Sequence, residues 1–241
     1  MTNLPDESRI SDYIDTRCDR AFTVFIMPSL RYDISIEMFD SKCQKCSPSY
    51  GAILASAAFL VIFRGLPLET VEVEYSDKMS LVTFSDNNEK ISINLPKCKQ
   101  LLEKPQVFAS GIEKNVKKIF IKHENKTVLT VPCDDSELFE KSHLSTLLLS
   151  DENADFSLAY SKKGSHISVK PFAPKISPDL TLSAALAAYE SIGERKKMTA
   201  ACECGEAPRK APEIITLTPT FSGVKISLPP PPLMKFDTPY L

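Results

Sequence analysis

The stretch "CSPSYGAILASAAFL" (residues 46–60) passes from a polar loop into an apolar helix, and it decides how the chain is read. Ser47 and Ser49 flank Pro48, so a capping hydroxyl stands beside the residue favoured in a first helical turn. Backbone N–H groups at such a start point outward, where they hold anions or frame a nucleophile. Apolar positions continue beyond it and predict one buried helix over residues 48–64. A second stretch, "SPDLTLSAALAAYESIGERKK" (177–197), has the same form and predicts a helix from 179 to about 195. Both begin Ser-Pro, and both carry Ala-Ala before an aromatic, ten positions after that serine. The match suggests an internal repeat.

Around these helices the apolar residues alternate with period two, the mark of half-buried strands. In the first half the strands are "AFTVFIM", "DISIEMF", "TVEVEY", "SLVTF" and "KISINL". In the second they are "KKIFIKH", "TVLTV", "DFSLAYS", "HISVKPF", "EIITLT" and "VKISL". "SELFEKSHLSTLLL" (136–149) predicts a further short amphipathic helix. The order gives an α+β chain of two pseudo-symmetric lobes, each a mostly antiparallel, curved sheet around a central apolar helix. The lobes span 1–108 and 109–229, joined near "EKPQVFASG" (103–111), and a Pro-rich tail occupies 230–241.

Composition narrows the function. Of 241 residues, 29 are Lys or Arg and 31 Asp or Glu, a formal charge of −2 that argues against nucleic acid as a partner. Seven glycines leave no Gly-rich phosphate loop, and no dinucleotide fingerprint or His-Glu-x-x-His is present. The polar, acidic opening "MTNLPDESRISDYID" has no signal-peptide form, and the longest apolar run is too short for a membrane span. The reading is therefore cytoplasmic, with seven cysteines as free thiols. "CQKC" (Cys43, Cys46) and "CEC" (Cys202, Cys204) could together bind zinc, or "CQKC" could act in redox, but the pairs lie far apart. The tail "SLPPPPLMKFDTPYL" favours polyproline II and is a weak candidate for protein contact.

The stretch from Tyr13 to Val61 resembles the diaminopimelate epimerase family, a superfamily with proline racemases and phenazine-biosynthesis isomerases. It follows that family's order of short helix, two strands, a Phe-Asn-x-Asp-Gly-Ser-Glu loop and Cys-Gly-Asn-Gly opening the central helix. On that register Asp40 stands where a substrate-contacting Asn is expected. Ser49 falls on the catalytic cysteine, with Tyr50 and Gly51 in place of Gly-Asn. "ENKTVLTV" keeps the family's Asn as Asn125, and "ENADFSLA" puts Asp155 at a second Asn. Ala173-Pro174 replaces a Glu-Arg pair, and the second cysteine maps onto Asp179, Leu182, Ser183 or Ala184. The family's opening Gly-Asn segment has no counterpart.

What the resemblance implies is cofactor-independent proton exchange by two cysteines, one on each face of an α-carbon. Neither thiol is present here. A serine without a base is far too weakly acidic to replace a thiol, and His123, His143 and His166 are each isolated in sequence. The leading expectation is a non-catalytic protein that binds a small amino-acid-like carboxylate in a cleft between lobes, or acts through protein contacts, a homodimer included. Its ligand positions are Ser49, Tyr50, Gly51, Asn125, Asp155 and Ser183, with no metal and no cofactor. The alternative is an active isomerase that uses carboxylates, with Asp179 as base and Asp40 as partner. A cysteine-liganded zinc protein is the second alternative.

Overall fold

The computed structural model describes residues 10, 22–100, 104–105, 117–123, 126–133, 154–172, 180–202 and 213–231. They form an α+β chain dominated by strands, divided into two compact units, 1–94 with 229–241, and 95–228. No helix among the described residues is long and apolar enough to cross a membrane. The helix expected at 136–149 and the Pro-rich tail beyond 231 lie outside the described residues.

In the first unit the elements are β1 (Phe22–Met27), β2 (Ile34–Asp40), β3 (Lys45–Cys46), α1 (Tyr50–Ala58), β4 (Thr70–Tyr75), β5 (Lys78–Ser85) and β6 (Lys90–Pro96). Their sheet order is β1-β2-β4-β5-β6, with β3 beside β2. Each pairing is antiparallel except β2 with β4, the pair that α1 connects. Alternation sets the core. Ile34, Ile36 and Met38 of β2, Val71 and Val73 of β4, and Val82 and Phe84 of β5 are buried. They are joined by Ile53, Leu54, Ala57 and Ala58 of α1, which packs on β1, β2, β4 and β5. Each large apolar side chain taken fully out of water contributes roughly 1.5–3 kcal/mol. Ser29 and Arg31, between β1 and β2, clasp Glu74 of β4: the Ser29 hydroxyl and the Arg31 guanidinium each donate to its carboxylate at 2.6 Å.

The single helix expected over 48–64 is instead an α-helix that widens into a π turn, Phe59–Phe63. The Arg64 N–H donates to Phe59 O at 3.0 Å, five residues back. Phe59 and Phe63 stack with ring centroids 5.0 Å apart, side chains that the wider turn brings nearer to alignment.

The second unit holds β7 (Lys99–Gln100), β8 (Lys104–Pro105), β9 (Lys117–His123), β10 (Lys126–Pro132), β11 (Phe156–Lys163), β12 (His166–Phe172), α2 (Leu180–Ile192), β13 (Met198–Cys202), β14 (Glu213–Pro219) and β15 (Gly223–Leu228). Their order is β15-β14-β13-β12-β11-β10-β9-β7, with β8 beside β9. Two pairings are parallel, β10 with β11 and β12 with β13; α2 connects the latter pair. The helix is buried along most of its length and packs on β9 to β14. It stops at Gly193, whose φ of 73° and N–H to Glu190 O at 3.2 Å make the left-handed cap that only glycine adopts cheaply. β13 was not among the expected strands, because "MTAAC" is short and made mostly of small residues, without the alternation of large apolar and polar side chains that marks the others.

Candidate functional site

The approach to α1 is organised by Asp40. Its Oδ1 accepts the Lys42 and Gln44 amides, each at 2.9 Å, and its carbonyl accepts the Cys43 amide at 3.1 Å. This carboxylate folds the turn between β2 and β3, in which Cys43 takes a φ of 59°. The chain then enters α1 through Ser49, whose extended backbone (φ −77°, ψ 159°) suits an N-cap. Ser49 Oγ accepts the Ala52 amide at 3.0 Å and its carbonyl accepts Ile53 N at 3.0 Å. Ser49 is 6% exposed, and Tyr50 and Ala52 beside it are buried. No imidazole is hydrogen-bonded to Ser49 among the described residues. The Ser49 hydroxyl is therefore part of the helix cap.

In the second unit Asp155 stands just before β11. Its Oδ2 accepts the Thr127 amide at 2.6 Å, while its own N–H donates to Thr127 O at 2.8 Å. That reciprocal pair fastens β11 to β10 at the start of their parallel register. Ser183 lies in the first turn of α2, 3% exposed. Cys202 comes back to the same place: β13 returns along α2, and the Cys202 thiol donates to Thr181 O at 3.8 Å. Cys202 follows α2 in sequence, yet β13 brings it back to the helix's first turn. Asn125, Asp179 and the Ala173-Pro174 pair lie outside the described residues.

Among the described residues, the cysteines at 43, 46, 98, 133 and 202 form no disulfide. Cys43 packs with Phe39 and Phe25 on one face of the β2–β3 hairpin. Cys46 lies opposite Met38 in register, hence on the other face, and its thiol donates to Met38 O at 3.5 Å. The two sulfurs of "CQKC" thus diverge. Burial, with a contribution from Asp40, pushes the Cys46 thiol up and away from the thiolate form. Among the described residues no group of three or more His, Cys, Asp or Glu is placed to hold a metal ion, and Cys204 lies outside them.

No family model matches the sequence, and no curated protein is significantly similar to it. Solved structures are similar. A phenazine-biosynthesis PhzF-family protein of Enterococcus faecalis superposes with a TM-score of 0.68 at 14% identity, covering 95% of this chain and 86% of that one. A PhzF-family protein of Bacillus anthracis gives 0.61 at 13%, covering 94% and 86%. A hydroxyproline epimerase of Agrobacterium vitis, with bound trans-4-hydroxy-L-proline, gives 0.50 at 11%, covering 94% and 79%. The chain has the fold of PhzF proteins and proline racemases. At these identities it is the fold that is shared, and the α+β architecture expected from the paired helix starts is the one observed.

Proposed function

We propose that this chain is an epimerase-fold protein that binds a small amino-acid-like carboxylate and does not racemise by thiol chemistry. The observation that carries the reading is the cap at Ser49, whose hydroxyl accepts the Ala52 amide and which the resemblance in sequence puts where a thiol is expected. An alcohol so placed, without an imidazole, does not remove an α-proton near neutral pH. Asp40 and Asp155 direct their carboxylates to backbone amides in the same structural manner. The hydroxyproline epimerase, which holds an imino acid, supports the ligand class. Ligand contacts in the first unit are assigned to Ser49, Tyr50 and Gly51; in the second, to Asn125, Asp155 and Ser183. The two units are read as a pseudo-repeat. Supporting this, the run β1-β2-α1-β4-β5-β6 has the same pairing order as β11-β12-α2-β13-β14-β15, with the parallel pair bridged by the helix in both.

The second reading is a carboxylate-based isomerase with Asp179 as its base. It is favoured by the higher TM-scores of the PhzF proteins over the racemase type. α-Proton exchange in deuterated water over a panel of amino and imino acids separates the two. The binding reading expects no exchange and a rise in melting temperature with at least one member of the panel. Exchange that disappears in Asp179→Asn overturns it in favour of the isomerase. A panel that neither exchanges nor shifts the melting temperature removes both.

A further inference from the structure

Two basic stretches, separate in sequence, meet in the second unit. The tip between β11 and β12 carries Lys162, Lys163 and His166 around Gly164; the loop between α2 and β13 carries Arg195, Lys196 and Lys197. Thr199 N donates to Ser165 O at 2.9 Å, and His166 lies opposite both Lys163 and Thr199 in register. Glu194 ties the loops further, pairing with Lys162 and with Lys196, the latter at 2.7 Å. Arg195 lies 3.6 Å from Glu190. Five Lys and Arg side chains thus stand near two glutamates that pair with three of them, on a chain whose formal charge is −2. The charge is segregated by folding.

Its internal order is also informative. Glu194 is held below the usual carboxylate range by Lys162 and Lys196, so it stays ionised and braces both ammonium groups. Lys163 and Lys197 are exposed and have no anionic partner among the described residues. We propose that this surface docks a short acidic segment of a partner protein, with Lys163, Arg195 and Lys197 receiving its carboxylates. The chemistry disfavours nucleic acid: neither loop carries a Phe, Tyr or Trp, and the single imidazole of His166 is less than the run of rings on which successive bases stack. Four of the five cations are lysines, point charges without the planar fork that grips phosphate in two places. The side chains are exposed, so nothing encloses a small anion, whereas an extended peptide can lie across both loops at once. Exposed ion pairs are individually weak, so the contact needs several together and is sensitive to salt.

Fluorescence anisotropy of labelled decaglutamate against the intact chain tests this. Saturable binding is expected at about 50 mM salt and its loss by about 300 mM. Lys163→Glu with Lys197→Glu should weaken binding by at least about tenfold, while Lys78→Glu, an exposed lysine of the first unit, leaves it unchanged. The neutral pair Lys163→Gln with Lys197→Gln should lose less than the reversal and decides the matter if the reversed protein fails to fold. Absence of saturable binding overturns the proposal. So does an equal loss with Lys78→Glu, or single-stranded oligothymidine binding more tightly than the peptide.

Discussion

Thr130 of β10 and Ser191 of α2 share a hydroxyl–hydroxyl hydrogen bond of 2.7 Å that fastens the helix to the sheet in the second unit. Thr130 Oγ1 also lies 3.0 Å from Ile119 O, and Ser191 Oγ lies 2.7 Å from Ala187 O. Two hydroxyl protons serve three contacts, so one contact is always without its proton. Removing one partner therefore costs less than three bonds imply. Thr130→Val is expected to lose about 1 kcal/mol, and Ser191→Ala a similar amount. Combined, they should lose close to the sum, because the parent makes two bonds, either single variant keeps one by donating to its own carbonyl, and the double variant keeps none. Urea unfolding of the four proteins measures the coupling, and a double loss well below the sum, as three simultaneous bonds require, would contradict the shared-proton account.

The Ser49 cap gives a second expectation. Ser49→Ala strands the Ala52 amide and should cost about 1 kcal/mol of stability, within the range of ~0.5–2 kcal/mol for N-cap losses. Ser49→Asp keeps an acceptor and adds a negative charge at the positive end of α1, so it should remain close to the parent. Ser49→Cys should lose the cap like alanine without gaining α-proton exchange, since the positions that the resemblance gives for a second cysteine, Asp179, Leu182, Ser183 and Ala184, hold none. Denaturation curves together with deuterium exchange separate capping from chemistry.

These two cases also mark where sequence reading succeeds. Ser49 was legible because a cap is a local feature: Ser-Pro-Ser before an apolar run carries its own hydrogen-bond logic. Strands such as Thr70–Tyr75 were legible because alternating burial follows from the two faces of a pleated strand. Thr130 and Ser191 carry no local signal, since their meeting depends on how α2 lies on β10. Asp40 does carry one, an Asp followed by backbone amides at a polar turn. The helix lengths failed for physical reasons. Apolar character continues through Phe63, whereas α geometry does not, and Gly193 ends α2 inside a stretch whose polar residues still suit a helix. Cys202 meets the start of α2 only because β13 reverses the chain, which no local pattern announces.

Gly223 begins β15 at a close approach that no periodicity announces. A Cβ there would stand 1.9 Å from Leu95 O and 3.2 Å from Pro96 Cα, both backbone atoms that cannot swing aside. Gly223→Ala must shift the strand and is expected to cost more than about 2 kcal/mol, in the class of overpacked core variants. Gly164→Ala, where the added carbon meets open space, carries only the left-handed φ of 65° and should cost about 1–2 kcal/mol. Thermal melts of the two variants should keep that ranking.

Two glutamates should give opposite dependences of stability on pH. Glu74 is held below its ordinary value by the Ser29 hydroxyl and then by Arg31. Its stabilisation is present above the unfolded value of 4.5 and disappears as pH falls through the lower folded value, so Glu74→Gln should destabilise at neutral pH and converge with the parent in acid. Glu190 is the reverse: burial pushes its carboxyl up, against the pull of Arg195 and Lys97, and its Oε1 has no hydrogen-bond partner. Its charged form costs stability above the raised folded value. That cost fades as pH falls toward 4.5, where folded and unfolded forms are both protonated. Glu190→Gln should therefore raise the melting temperature at pH 7 by an amount that shrinks toward pH 4. A gain independent of pH would show that packing, rather than the buried charge, sets the effect.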